Sequence, residues 1–489
     1  SSLIQKVEEI RVTAQSYPFA SAELYCKLSE LGFVEKEYYM EGTANVYQTM
    51  ADGTIGVKNA DAPYVNRFIV RMPQSPEAFS GNVTVEIINA TSFMEIDRMW
   101  ILGWKEFVRR GDIYVGITSK PNTIAKMVEF DQERYARLSW PNPTPEIPFS
   151  YTADDVRKTG GLIDQDIQTE PGLFWDMLTE IGALLKSDSE NNPLRDLDVR
   201  CVTATGWSQS AGYLIRYIND FVCRDEAWPN AYDGFLVAGA PRYFVIPVNQ
   251  YECAMPGRAE QCVIGSVKVP TIVMHTECEN GHLGTALVRR KEGDSSDFLC
   301  RQYDITGASH DTVYSYIDYY QKDEDLVRIH HLPEYVGKNA VANNYPSQYL
   351  VAAAFRNLFY WIQTGVAPAK CDLIELDCRG ENVKDALGIS KGGLRTCLLD
   401  YPTGAYYNTS DIEKGANPIF PDSDVEVLFG HEEPYPAEML KFLYQDLEHY
   451  RALITEHTWA QVSKGFIVKE DADELIEMAV SLAKSRGLD

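Results

Sequence analysis

No apolar run in this 489-residue chain approaches the roughly 20 residues that cross a bilayer, so no integral membrane segment is expected. There is no Cys-x-x-Cys pair, no His-Glu-x-x-His and no other ligand spacing typical of a metal site. With only 8 His in all, no metal is expected. A Gly-rich phosphate loop is also missing, and no cofactor is expected. Positive charge is scarce: 45 Lys and Arg stand against 71 Asp and Glu, a net charge of −26. Such a field repels phosphate backbones and anionic lipid surfaces, and no basic cluster offsets it, so nucleic acid is not an expected partner. Internal repeats and low-complexity tracts are absent. No signal peptide is legible, and the chain begins Ser1-Ser2 rather than with Met. The expectation is a removed leader or tag, and the compartment, cytoplasmic or exported, stays open, as does the oligomeric state.

What is present is ordinary for a globular protein, with 45% hydrophobic and 24% charged residues. Of the 10 Cys, Cys201 and Cys300 fall in expected core strands and read as packed free thiols. The pairs Cys253/Cys262 and Cys371/Cys378 are close enough in the chain to bridge in an oxidising compartment.

Strands and helices alternate, which predicts a mainly parallel sheet flanked by helices. Phe68 to Met72, Val83 to Ile88 and Ile113 to Ile117 read as strands. Asp97 to Arg110 reads as a helix stopped by Gly111. Residues 1 to about 60 form an expected N-terminal extension packed on a core of residues 61–365. Residues about 120–197 interrupt the alternation, and the reading is a cap-like insertion with a helix near Gly172 to Lys186. Its aromatics, Phe130, Tyr135, Trp140, Phe149, Phe174 and Trp175, are candidates for a pocket wall, with packing onto the core the plainer role for each. A long, nearly all-apolar helix is expected over Tyr345 to Thr364. Residues 366–489 read as an accessory region with helices over Pro436 to Glu456 and Glu470 to Arg486.

Chemistry concentrates at Gly206-Trp207-Ser208-Gln209-Ser210-Ala211-Gly212. An apolar run precedes it and a helix-like run follows. A serine at a strand-to-helix turn, with small residues two places to either side, is the sequence form of a nucleophile elbow. The frame chosen is Ser208-x-Ser210-x-Gly212, with Ser210 as nucleophile and Ser208 as the small residue at the cramped position.

In folds that carry such an elbow the acid and then the histidine follow the serine along the chain. Val269 to His275 reads as a strand ending at Thr276-Glu277-Cys278-Glu279, so Glu279 is the expected acid, with Glu277 as the alternative. Phe298 to Ile305 reads as another strand, followed by Gly307-Ala308-Ser309-His310, and His310 is the expected base. His275 lies inside a strand and reads as packed. His282 is the nearest competitor, too close to the acid to belong to the next strand. Ser210 would attack a carbonyl carbon as His310 takes its proton, and Glu279 would orient the imidazole. The N–H of Ala211, and that of Thr91 in the loop after Val83 to Ile88, are the expected oxyanion donors.

The chain resembles the alpha/beta-hydrolase superfamily, and within it a large single-chain branch whose elbow reads Gly-x-Ser-Gln-Ser-x-x-Tyr. The resemblance extends to Glu37–Tyr47, Arg67–Pro73 and Phe79–Asn89 upstream. Downstream it takes in Gly392–Arg395 and Lys464–Ala472. Two departures stand out: Ala211-Gly212 where many members have Gly-Gly or Gly-Arg, and Glu-Cys-Glu in the acid loop where many have Glu-Thr-Asp. The resemblance implies an alpha/beta-hydrolase fold with a cap-like insertion and a helical C-terminal extension. It carries a Ser210–His310–Glu279 triad and implies a serine esterase acting on a small-molecule ester. An acyltransferase on the same triad and a catalytically silent ligand-binding protein are the alternatives.

Overall fold

The computed structural model describes all residues except 1–2, 153, 156–165, 223–229, 242–244, 253–258, 282–291, 321–322, 330–337 and 414–427. The chain divides into two compact units. One comprises 1–271, 292–300 and 323–330, and the other 272–291, 301–322 and 331–489.

The first unit carries strands β1 (Leu3–Ile10), β2 (Phe33–Thr49), β3 (Ile55–Pro73), β4 (Asn82–Ile87), β5 (Ile113–Ile117), β6 (Cys201–Trp207) and β7 (Gly234–Ala238). They lie side by side in the order β1-β2-β3-β5-β4-β6-β7. The expected parallel sheet runs from β5 through β4 and β6 to β7. Every residue of those four strands is buried. That is the signature of parallel strands covered on both faces, and it explains their near-continuous apolar runs. The first 60 residues do more than pack on the core. β1 and β2 hydrogen-bond into the sheet antiparallel, and β2 pairs with β3 from Phe33 to Thr49.

Helix α1 (Arg98–Arg110) follows β4 and buries Trp100, Ile101 and Phe107 completely. Gly111 ends it at φ 75°. A β-carbon there would meet the Ala78 carbonyl oxygen at 1.9 Å, so the stop signal is also a packing requirement. Helix α2 (Phe174–Leu185) lies within the insertion. The insertion's aromatics are mostly core: Phe130, Tyr135, Trp140, Phe174 and Trp175 are buried. Trp140 stacks on Phe174, and Phe149 is half-buried beside Tyr251.

The second unit contains the ends of β8 (Val267–Thr276) and β10 (Phe298–Ile305), which neighbour one another. The short strand β9 (Gly293–Ser295) pairs antiparallel with the start of β10 in the first unit. Helix α3 (Gln209–Tyr217) belongs to the first unit, and α4 (Ser347–Thr364) to the second. Also in the second unit are an antiparallel pair, β11 (Gly404–Tyr407) and β12 (His431–Pro434), and helices α5 (Ala437–Tyr444), α6 (Leu447–Ser463) and α7 (Ala472–Ser485). The single helix expected over Pro436 to Glu456 is two. Gln445 adopts φ 70°, and the Asp446 carboxylate accepts the His449 N–H as a new N-cap.

Cys201 and Cys300 are buried free thiols, as read. Cys371 and Cys378 do not bridge: Cys378 is exposed, and the Cys371 thiol points to the Gly393 carbonyl oxygen at 3.5 Å. Cys262 is likewise free, and Cys253 lies outside the described residues. Among the described residues, no helix is long and apolar enough to cross a membrane.

Candidate active site

The turn after β6 belongs to the first unit. β6 ends at Trp207, whose partner in β7 is Ala238. The next residue, Ser208, has φ 59° and ψ −115°, and its N–H donates to the Ala238 carbonyl at 3.0 Å. Helix α3 then begins at Gln209. A residue with a β-carbon in this backbone region carries a strain of order 1–3 kcal/mol, and such strain gathers at functional sites.

The junction therefore sits two residues earlier than the sequence frame placed it. Ser210 is the second residue of α3 and only 1% exposed, whereas Ser208 is half-exposed. The cramped position is also displaced. A β-carbon on Gly206 would lie 2.7 Å from the Ser210 Cβ and 2.8 Å from its carbonyl carbon. A β-carbon on Gly212 would make only ordinary contact, 3.4 Å from Ile246. The geometric elbow is Gly206-x-Ser208-x-Ser210, with Gly206 and Ser210 as the packed flanks. The cue was in the sequence: Gly206 stands two places before Ser208.

The N–H groups at the start of a helix lack intrahelical acceptors, and those of α3 begin with Gln209, two residues before the expected donor Ala211. The loop after β4 closes on itself through reciprocal bonds between Asn89 and Ile96, both 3.0 Å. The Asn89 side-chain amide donates to the Trp207 carbonyl at 2.9 Å, tying this loop to the elbow. The Thr91 N–H, expected as an oxyanion donor, instead donates to the Asn89 Oδ1 at 2.9 Å. Its neighbour, the Ala90 N–H, has no acceptor among the described residues.

In the second unit, β8 ends at Thr276 and a short helix, Glu277–Asn280, follows. Thr276 and Glu279 form a capping box, in which the Thr276 hydroxyl and N–H both donate to the Glu279 carboxylate. Glu279 is fully buried, and its Oε2 lies 3.5 Å from the Nδ1 of His310. Burial pushes the Glu279 carboxyl up. The neighbouring His310 imidazole and the hydrogen bonds from Thr276 outweigh it, holding the group below its ordinary range. Glu277 is occupied elsewhere. Its oxygens accept the Gly307 N–H at 3.3 Å and the Asn408 amide at 3.2 Å.

His310 follows the turn at Gly307, where φ is +87° and a β-carbon would meet Leu399 at 2.7 Å. His275 is buried within β8, with its Nδ1 4.0 Å from an Asp304 carboxylate oxygen. The other oxygen of Asp304 accepts the Ile374 N–H at 3.0 Å. His282 lies outside the described residues. Among those residues, no group of three or more His, Cys, Asp and Glu is arranged to hold a metal ion.

The alpha/beta hydrolase domain family model matches residues 6–477. Comparison with curated proteins gives no match. Among solved structures, esterase Est22 is similar at 12% identity and a TM-score of 0.32, over 62% of this chain and 80% of that one. For a mutant of the same esterase, the matched region spans 66% of its length. An esterase from Rhizomucor miehei is similar at 9% identity and a TM-score of 0.31, over 65% of this chain and 90% of that one. An arylesterase is similar at 9% identity and a TM-score of 0.27, over 54% and 75%.

Proposed function

Since the chain belongs to the alpha/beta hydrolase domain family, we propose that it is a serine hydrolase that cleaves small-molecule carboxylic esters through an acyl-enzyme. Ser208 is the nucleophile, His310 its base and Glu279 the acid that orients the imidazole. The observation that carries this reading is the backbone of Ser208. A side chain held at φ 59° between a buried strand and a helix, its flanks packed on one another, has the form of a nucleophile elbow. The pairing of His310 with Glu279 rather than Glu277 supports the other two roles.

His310 removes the Ser208 hydroxyl proton as the oxygen attacks the ester carbonyl carbon. Glu279 stabilises the imidazolium and keeps its own charge. The N–H groups of Gln209 and Ala90 take the oxyanion, each donor being worth about 3 kcal/mol in such sites. The tetrahedral intermediate collapses and the alcohol leaves with the proton from His310. Water then repeats the sequence on the acyl-serine and releases the acid.

The test is labelling with a fluorophosphonate probe alongside turnover of short p-nitrophenyl esters. The labelled peptide should carry the adduct on Ser208, and Ser208→Ala should lose labelling and about 10⁴-fold or more in rate. Ser210→Ala keeps the β-carbon that packs on Gly206 and should stay active. An adduct on Ser210, or full turnover in Ser208→Ala, would refute the assignment.

A further inference from the structure

The loop that bears Ala90 is held from behind by two buried arginines. β3 carries Arg67 and Arg71 four residues apart, hence on one face of the strand. Arg67 reaches Glu95 with Nη2–Oε1 at 3.2 Å, and Arg71 reaches Asp97 with Nη1–Oδ2 at 2.6 Å. Between those two carboxylates in the chain stands Ile96, whose backbone exchanges both hydrogen bonds with Asn89. Asn89 in turn holds the Trp207 carbonyl and immediately precedes Ala90. An unbroken run of contacts thus leads from the two guanidinium groups to the base of the loop and on to the elbow.

The arginines are themselves fixed on their other side. β2 supplies Glu37, which takes Arg67 Nη1 at 2.7 Å and Arg134 Nε at 2.6 Å. It also supplies Glu35, which takes Arg71 Nε at 2.9 Å. The Tyr25 hydroxyl donates to Asp97, and Thr118 donates to Glu95. The Arg71 guanidinium lies 4.8 Å from the Trp100 ring centroid and 5.1 Å from that of Tyr114. Every charged side chain in the two clamps is at least nine-tenths buried. Desolvation offsets much of the attraction in buried ion pairs, so their net stabilisation is small. Their better-attested role is to enforce one arrangement over others. A planar guanidinium with fixed donors suits that role.

We propose that Arg67 and Arg71 are positioning residues for ester hydrolysis: through Glu95 and Asp97 they fix the Asn89–Ile96 loop against the elbow, so that the Ala90 N–H faces the developing oxyanion. The proposal rests on the serine hydrolase reading above. An oxyanion donor acts on the transition state more than on bound substrate, so displacing it lowers kcat and leaves KM nearly unchanged.

The isosteric variants Glu95→Gln and Asp97→Asn test it in the full chain, with Arg67→Lys as the variant on the strand side. Three quantities are measured: kcat and KM on p-nitrophenyl esters, inhibition by a trifluoromethyl ketone that forms a tetrahedral adduct, and amide hydrogen exchange in residues 89–97. The expected result is a roughly 10- to 100-fold fall in kcat with KM within about twofold, a matching loss of inhibitor affinity, and faster exchange in the loop. A lowered Tm with kcat and inhibitor affinity unchanged in the folded fraction would overturn the proposal and leave the arginines structural. If a variant does not fold, the remaining two decide on the same readouts. Absence of turnover and labelling in the unaltered protein is a separate outcome, which overturns the serine hydrolase reading and the positioning role with it.

Discussion

Gly206 and Ser210 are in contact across the elbow: a β-carbon added to Gly206 would stand 2.7 Å from the Ser210 Cβ and 2.9 Å from its carbonyl oxygen. Two residues flanking Ser208 at equal distance in the chain are thereby folded onto each other. The positive φ of Ser208, 59° with ψ −115°, accompanies this close approach, as a sharp strand-to-helix turn requires.

Gly206→Ala should therefore be disruptive for so small a change. The added carbon meets backbone atoms of α3 that cannot swing aside, and overpacking of this kind costs about 1–3 kcal/mol. Thermal unfolding should show a Tm several degrees lower, and ester turnover should fall with it. An unchanged Tm and rate would mean that the flanks are not packed as described.

Ser208→Gly should separate stability from activity. Glycine accepts φ 59° without the strain a β-carbon carries, so the variant should be as stable as the parent or more stable by up to about 1 kcal/mol. It should have no turnover and take up no fluorophosphonate. A clear loss of stability would argue against strain at this residue.

Glu279→Gln and Glu277→Gln should behave differently although they lie two residues apart. The first removes the carboxylate 3.5 Å from His310 and should lower kcat/KM by about 10²- to 10⁴-fold. The second loosens the bonds to Gly307 and Asn408 and should act mainly on Tm. Because Glu279 is held below its ordinary range, its contribution to stability is present above that range and is lost as pH falls through the folded value. Urea denaturation at acid pH should show a shallower pH dependence in Glu279→Gln. Equal kinetic losses in both variants would undo the distinction between the acids.

Glu170 has the opposite sign. Burial pushes its carboxyl up to about 8, with the Gln250 N–H among the groups that oppose the rise. The folded protein keeps this proton at pH values where the unfolded chain has released it. The resulting stability is complete below the ordinary carboxylate range and declines as pH rises toward 8, at about 1.4 kcal/mol per pH unit between the two values. The Tm should fall between pH 5 and 8, and Glu170→Gln should flatten part of that slope. A slope unchanged by the substitution would show that Glu170 is not protonated in the folded state.

Much of the architecture was legible because it rests on local rules. The apolar runs at Val83 and Ile113 became buried parallel strands, and Gly111 ended a helix where its missing β-carbon is needed. His310 and Glu279 were legible as candidates from their places after strands. The aromatics of the insertion were not assignable, because a tryptophan such as Trp140 looks the same in sequence whether it lines a cavity or, as here, stacks in a core. The break at Gln445 was hidden for a related reason, since glutamine ordinarily favours helix and only its positive φ reveals the turn.

The amino-acid order alone determined that a small-residue strand-to-helix turn exists and which serines flank it. It did not determine which one stands at the bend. Small residues recur at positions 206, 208, 210 and 212, so the same motif fits in two registers. The choice was made by where β6 stops pairing with β7, at Trp207 opposite Ala238, with the Ser208 N–H making the last bond. That is a contact between residues some thirty apart, and only the folded sheet supplies it.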